Sequence, residues 1–259
     1  MITVDLHTHI LPWMDDGAAD SEVSMTLLHK EASDGIRQIA LTSHFNPIDE
    51  KVNDFRIRRA VSFRQLNKVI ENSDLKDFFD LRPAAEIRYN ASLLEMEDLD
   101  ELCIAGTKVL LIEFSTQHYP EFVQDIFYRL QAKGYTILMA HVERFPWLRE
   151  KPELLYDLVC GGAYAQVNAE SVCKSKQTYS FIRKMMDCGL IHCLGTDTHN
   201  MEKRPPYMKE AEHVIAKNQG EDTVAYINEI GQSLFSGKMP NTYIPSKPKK
   251  GFWDFLKNE

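Results

Sequence analysis

Histidine and carboxylate residues in this chain gather where short apolar runs end, and together their chemistry is that of divalent-cation binding. The first run, Ile2 to Leu6, leads straight into His7-Thr8-His9. Residues two apart on an extended chain point the same way, so both imidazoles can face one point. An acidic turn follows, Asp15-Asp16-Gly17. Later runs end in His44, Glu86, Glu113, His141 and the pair Asp197 and His199. A lone strand-end histidine is usually a hydrogen-bonded structural residue. Glu113 resists that reading: between Leu111-Ile112 and Phe114 it is a near-buried charge that needs a cation or a metal. Asp197, after Ile191 to Thr196, poses the same problem. His7, His9, Asp16, His44, Glu86, Glu113, His141, Asp197 and His199 are more donors than one ion needs and suit two or three. Imidazole and carboxylate without thiolate favour Mn²⁺, Zn²⁺ or Fe. Of the acidic pair, Asp16 is the expected ligand and Asp15 a turn or supporting carboxylate.

Closely spaced metal ions clamp phosphate oxygens, so hydrolysis of a phosphoester is the reaction class this donor set suggests. Arg144, three residues past His141, and Arg204, five past His199, fit the same chemistry, because a guanidinium fork matches non-bridging phosphate oxygens. The basic positions Arg56, Arg58, Arg59 and Arg64 read either as a solvated face or as a contact for an anionic substrate. Other phosphatase chemistries lack their residues. None of Cys103, Cys160, Cys173, Cys188 and Cys193 has an arginine six positions on, as a thiolate phosphatase requires. Asp98-Leu99-Asp100 mimics an aspartyl-phosphate motif, but it follows no apolar strand and sits among Glu95, Glu97 and Glu101. Neither a P-loop nor a His-Glu-x-x-His motif occurs.

The elements that must position these residues alternate. Strands are expected around 2–6, 36–41, 78–87, 107–114, 135–139, 163–167 and 190–194. Helices are expected over 21–34, 51–72, 121–133, 152–159, 179–188, 207–217 and 222–235. Val109 to Ile112 is apolar on both faces, as in a covered parallel strand. Strand and helix repeated about seven times imply a parallel sheet with right-handed crossovers. The closed form, a (β/α) barrel, is the simplest arrangement, with an open doubly wound sheet as the runner-up; barrel sites form at the C-terminal ends of strands. Residues 1–244 are expected to form this domain. Residues 245–259 are expected to be a basic linker and a short tail with Phe252, Phe255 and Leu256 on one helical face. That tail is expected to pack on the barrel or on another subunit rather than on a membrane surface or a kinase. A net charge of −8 argues against nucleic acid as the main partner. Five cysteines without a C-x-x-C pair indicate reduced thiols. With no signal-like N-terminus and no membrane-length apolar run, a cytoplasmic location is expected.

These motifs resemble the PHP (polymerase and histidinol phosphatase) superfamily: D-L-H-T-H-I-L-P followed by D-D-G, the T-S-H end of the second strand, the glutamate at the fourth, H-V-E-R after the fifth, and G-T-D-T-H-N with R-P-P. More narrowly, from residue 1 to about residue 240, the chain is similar to the bacterial protein-tyrosine phosphatases of capsule and exopolysaccharide operons. The resemblance implies a distorted (β/α)₇ barrel and a trinuclear site, usually manganese. It also implies that the substrate is the phosphotyrosine-bearing tail of a bacterial tyrosine autokinase. It places metal ligands on the nine residues named above and phosphate contacts on Arg144 and Arg204. Trp13-Met14, where a Gly-apolar pair is usual, and Phe45-Asn46-Pro47 depart from the pattern at the site rim. The alternatives are another PHP phosphoesterase, acting on histidinol phosphate or a nucleic-acid phosphodiester, and a non-catalytic metal-stabilised module. The oligomeric state is open, a homo-oligomer included.

Overall fold

Seven strand positions, joined by helices, wrap into a distorted and incompletely closed barrel. The structure is a computed structural model that describes residues 1–248. In chain order the elements are β1 (Val4–Thr8), α1 (Ser21–Asp34), β2 (Gln38–Leu41), β3 (His44–Phe45), α2 (Val52–Ile70), β4 (Asp80–Pro83), β5 (Glu86–Arg88), β6 (Val109–Glu113), α3 (Val123–Ala132), β7 (Thr136–Met139), α4 (Pro146–Glu150), α5 (Glu153–Cys160), β8 (Tyr164–Asn168), α6 (Ala169–Lys174), α7 (Lys176–Asp187), β9 (Cys193–Gly195), α8 (Met208–Gln219) and α9 (Glu221–Phe235). All strand pairings are parallel, in the orders β1-β2-β4 and β3-β5-β6-β7-β8-β9.

Two expected strands are each two strands in different sheets. The second breaks at Thr42-Ser43 and the third at Ala84-Ala85. Backbone bonds still cross the breaks, from Ala84 N to Leu41 O at 2.9 Å and from Glu86 N to Thr42 O at 3.1 Å. The chain therefore bends there without losing its partners, and the bend delivers His44 and Glu86 as the first residues of β3 and β5. At the other seam, β9 meets β1 through a single bridge between Thr8 and Thr198 and the bond from Asp197 N to His7 O at 2.7 Å. The open doubly wound alternative is not what forms.

The helices start and stop where local chemistry dictates. The Asp20 carboxylate accepts from Glu22 N and Val23 N at 2.9 Å, capping α1, and Gly35 ends it with φ of 96°. The expected helix at 152–159 has a partner, α4, begun by Pro146, and the one at 179–188 extends back to Lys176 with α6 before it. The barrel floor is closed by α9, whose Ile230, Leu234 and Phe235 pack with Val4, Leu6, Ala40, Val109, Leu111 and Leu138. Only glycine fits at 231, since a Cβ there would lie 2.7 Å from Val4 Cγ1. The floor leaves the strand C-termini as the open end.

None of the five cysteines is paired, as expected. Among the described residues no helix is long and apolar enough to cross a membrane. Tyr243 stacks on Tyr226 with centroids 4.3 Å apart, and Ser246 N donates to Cys188 O at 2.9 Å, so the chain runs back along α7 and α9. The expected apolar face of Phe252, Phe255 and Leu256 lies outside the described residues.

One buried histidine is structural. His192 N donates to Ala165 O at 2.9 Å and its Nδ1 accepts from Ala165 N at 3.0 Å, with Tyr164 edge-on at 5.2 Å. Burial lowers it from 6.5 to about 4. The folded state keeps it neutral, so this contribution is full above pH 6.5 and is lost as pH falls from 6.5 towards 4. The loss amounts to roughly 3 kcal/mol at about 1.4 kcal/mol per unit. His192→Asn keeps the acceptor without the titration. Its urea midpoint should approach that of the wild type, or exceed it, as the pH drops; a wild-type-minus-variant difference independent of pH would contradict this.

Candidate metal centre

The open end of the barrel brings all nine expected donors together. They form four overlapping groups: His9, Asp16, His44 and His199; His7, His141 and Asp197; His7, His9 and Glu86; and His44, Glu86 and Glu113. Within each group the ligand atoms lie within 4.8 Å of one another. His7 Nε2 and His9 Nε2 are 3.3 Å apart, which the two-residue spacing on β1 anticipates. A register shift between Asp5 and Thr8 lets β1 send Leu6 into the floor cluster and still aim His7 at the site. Glu86 Oε2 lies 3.3 Å from each of these nitrogens and 2.9 Å from His44 Nδ1, and Glu86 Oε1 lies 2.8 Å from His141 Nε2. Asp197 Oδ1 is 3.4 Å from both His7 Nε2 and His9 Nε2. Asp16 Oδ1, on the rim, is 3.4 Å from His44 Nε2 and 3.3 Å from His199 Nε2. His141 and Asp197 have φ of 31° and 52°, left-handed conformations that non-glycine residues seldom adopt and that tend to mark functional positions.

Asp15 serves its neighbours. Its Oδ2 accepts from His9 Nδ1 at 3.0 Å and His44 N at 2.9 Å, and its Oδ1 accepts from Gly17 N at 3.0 Å. This leaves His9 Nε2 free to face the centre. His199 Nδ1 donates to the Asp197 carbonyl at 2.9 Å, which puts its lone pair on Nε2, where Arg204 Nη1 donates to it at 2.7 Å. Behind the site, buried Asp5 accepts from His7 N at 3.0 Å and Thr196 N at 3.1 Å and ties the two sides of the seam.

The electrostatics suit cations. Burial opposes charge throughout, yet His7 and His9 hold Asp197 well below the carboxylate range, and His7, His141 and His44 do the same for Glu86. In return Glu86 and Asp197 raise His7, and Asp15 foremost raises His9. Burial, His9 and Arg204 lower His199 to about 4, so at neutral pH it offers a lone pair. His141 Nδ1 is buried with no hydrogen-bond partner among the described residues, and Glu86 Oε2 is held by close ring nitrogens without a well-directed hydrogen bond. Five imidazoles and four carboxylates fit a site for more than one metal ion.

Both expected arginines reach the same carboxylate. Arg144 Nη1 donates to Asp197 Oδ2 at 3.0 Å, and Arg204 Nη2 donates to the same oxygen. Glu113 finds its cation in Arg88, whose Nη1 donates to Oε1 at 3.2 Å. On α2, Arg59 is not a surface charge. It is buried and donates to Ala84 O at 2.9 Å and Glu101 O at 2.7 Å, while Arg58 pairs with Glu50 and donates to Met14 O at 3.1 Å. The strand without an acidic or imidazole end, β8, contributes the amides Gln166 and Asn168, both buried in the site. Their signal was polar residues alternating with Ala165 and Val167 at a strand C-terminus, which carries no ligand chemistry.

Residues 3–231 match the family described as capsular polysaccharide synthesis, CpsB/CapC. The tyrosine-protein phosphatase YwqE of Bacillus subtilis is 36% identical over 234 residues, 89% of this chain and 91% of that protein. The tyrosine-protein phosphatase CpsB of Streptococcus pneumoniae is 30% identical over 230 residues, 84% of this chain and 91% of that protein. A solved structure described among those of YwqE and CpsB, "unique metal-dependent tyrosine phosphatases", superposes with a TM-score of 0.88 and 32% identity. It covers 96% of this chain and 100% of that one. With this barrel and this cluster of donors, the chain belongs to the CpsB/CapC family of PHP-type proteins.

Proposed function

We propose that the protein hydrolyses phosphotyrosine on a bacterial tyrosine autokinase that controls capsule or exopolysaccharide synthesis. It is a metal-dependent protein-tyrosine phosphatase of the CpsB/CapC/YwqE type. The observation that carries the reading is nine donors beside two arginines at the open end of a barrel shared with these relatives. The nine donors are the metal ligands in this reading, and the resident ions are Mn²⁺, two or three per chain, with Fe or Zn²⁺ as substitutes. Bound ions supply an activated water and neutralise phosphoryl charge. Residues 1–244 form the catalytic unit, and 245–259 the linker and tail.

The chain's own residues do the rest. Arg144 and Arg204 bind the non-bridging oxygens and orient phosphorus towards the metal ligands. Asp15 and the Asp197 carbonyl keep His9 and His199 in the tautomers that face the centre. The leaving phenol has a pKa of about 10, so phenolate departs without a strong general acid, and no residue is assigned that role. Trp13, Ile48, Phe122 and Met201 stand exposed on the loops after β1, β3, β6 and β9 and offer apolar surface to the tyrosine ring and the flanking peptide.

Phosphate release from a phosphotyrosine peptide, histidinol phosphate and single-stranded DNA, assayed side by side, tests this. Turnover should be greatest on the peptide, stop with chelator and return with Mn²⁺. Preference for either other substrate, or release that survives chelation, would overturn it.

A further inference from the structure

We infer that Gln166 and Asn168 form a one-way amide relay that sets the tautomer of His7 and holds Asp197, making them positioning residues for the metal centre. The inference rests on the metal-dependent reading of the site. Side-chain amides are ambiguous because oxygen and nitrogen can exchange places, but here a backbone group removes the ambiguity. His141 N donates to Gln166 Oε1 at 2.8 Å, and a backbone N–H can only donate, so this end of the amide is the oxygen. The same oxygen lies 3.1 Å from His7 Nδ1. An amide oxygen cannot donate, so His7 Nδ1 carries the proton. The lone pair of neutral His7 is then on Nε2, the atom facing Glu86 and Asp197.

The polarity propagates. With its oxygen committed, Gln166 donates through Nε2 to Asn168 Oδ1 at 2.9 Å. That fixes Asn168, whose Nδ2 donates to Asp197 Oδ2 at 2.7 Å. His141 is pinned by its backbone, His7 by its ring and Asp197 by its carboxylate, all from β8. Asp197 Oδ2 also receives Arg144 and Arg204. An arginine that turns to a phosphoryl oxygen must give up part of its hold on that atom. Asn168, buried and anchored on a strand, keeps Asp197 in place while it does. The adjoining β9 is cut to fit: a Cβ on Gly195 would lie 2.7 Å from His7 Cβ and 2.9 Å from Gln166 Nε2. The arrangement does for His7 what Asp15 does for His9, with a neutral amide in place of a carboxylate.

Gln166→Met removes both ends of the relay at similar volume. Gln166→Glu keeps the acceptor for His7 and His141. Asn168→Leu frees Asp197 and takes the acceptor from Gln166 Nε2, while Gln166 Oε1 still faces His7 Nδ1 and His141 N. Each variant is compared with the wild type by Mn²⁺ titration calorimetry, and His7 is read in alkaline buffer by nitrogen NMR of the metal-free protein. Gln166→Met should bind Mn²⁺ about 10- to 100-fold more weakly, the usual cost of losing a group that orients a ligand. Gln166→Glu should retain the Nδ1–H tautomer of His7. Asn168→Leu should weaken Mn²⁺ without changing the tautomer. Wild-type His7 protonated on Nε2, or Mn²⁺ affinity unchanged in both Gln166→Met and Asn168→Leu, would overturn the relay. If Gln166→Met fails to fold, the tautomer and Asn168→Leu still decide. Failure of the wild type to bind Mn²⁺ would instead overturn the metal assignment, with the NMR result still judging the relay.

Discussion

Glu86→Gln should reduce turnover by about 10³-fold or more and leave the purified protein short of metal. Glu86 is buried, and its two oxygens lie 2.8 to 3.3 Å from ring nitrogens of His7, His9, His44 and His141. Glutamine has almost the same volume, so the barrel should fold around it. It replaces one acceptor with an N–H donor aimed at imidazole nitrogens and removes the charge that holds the cluster together. Glu86 also belongs to two of the four donor groups, so one substitution damages both. Glu113→Gln should do less, because Glu113 sits nearer the rim and shares its charge with Arg88. Metal content by emission spectrometry, read beside phosphotyrosine turnover, checks both variants. Full metal content and activity in Glu86→Gln would remove Glu86 from the centre.

Arg144→Ala and Arg204→Ala should each lower kcat/KM by about 10²- to 10³-fold while metal content stays at the wild-type level. Both guanidiniums stand between a buried carboxylate and solvent: the side chains are 46% and 29% exposed, against 2% for Asp197. They can meet an incoming phosphoryl group without being part of the metal cage. Lysine should rescue neither well, since an ammonium is a point charge and cannot fork across two oxygens. This separates the arginines from Glu86, whose loss should change metal content and rate together. Wild-type turnover in the alanine variants would end their assignment to phosphate, and parallel loss of metal would make them supports of Asp197 instead.

The barrel was legible because its signal is local. Apolar runs such as Val109 to Ile112, the capping residue Asp20 and the stop at Gly35 act within a few residues. A parallel sheet also puts every strand C-terminus at one end whatever the loops do. The clustering of these donors was legible for the same reason. His7 and His9 needed only the two-residue repeat of a strand, and a carboxylate beside Phe114 is costly in any fold unless it finds a positive partner.

The bends at Thr42-Ser43 and Ala84-Ala85 were not legible, because strand breaks depend on how neighbouring strands twist as the sheet curls. The roles of Arg59 and Arg88 were hidden as well, since a cation on a helix face or strand end says nothing about which carbonyl or carboxylate lies opposite. Asp15 and Asp16 are adjacent and chemically identical. Only the approach of the loop to His9 and His44 turns one inward to hold them and leaves the other between His44 and His199. Gln166 and Asn168 are uncharged amides, so the sequence by itself gave them no chemistry. The sequence determined which atoms can hold ions and at which end of the sheet they lie. Tertiary structure decided how those atoms are aimed, because hydrogen bonds between residues as far apart as 7 and 166 form only once the barrel has brought the strands together.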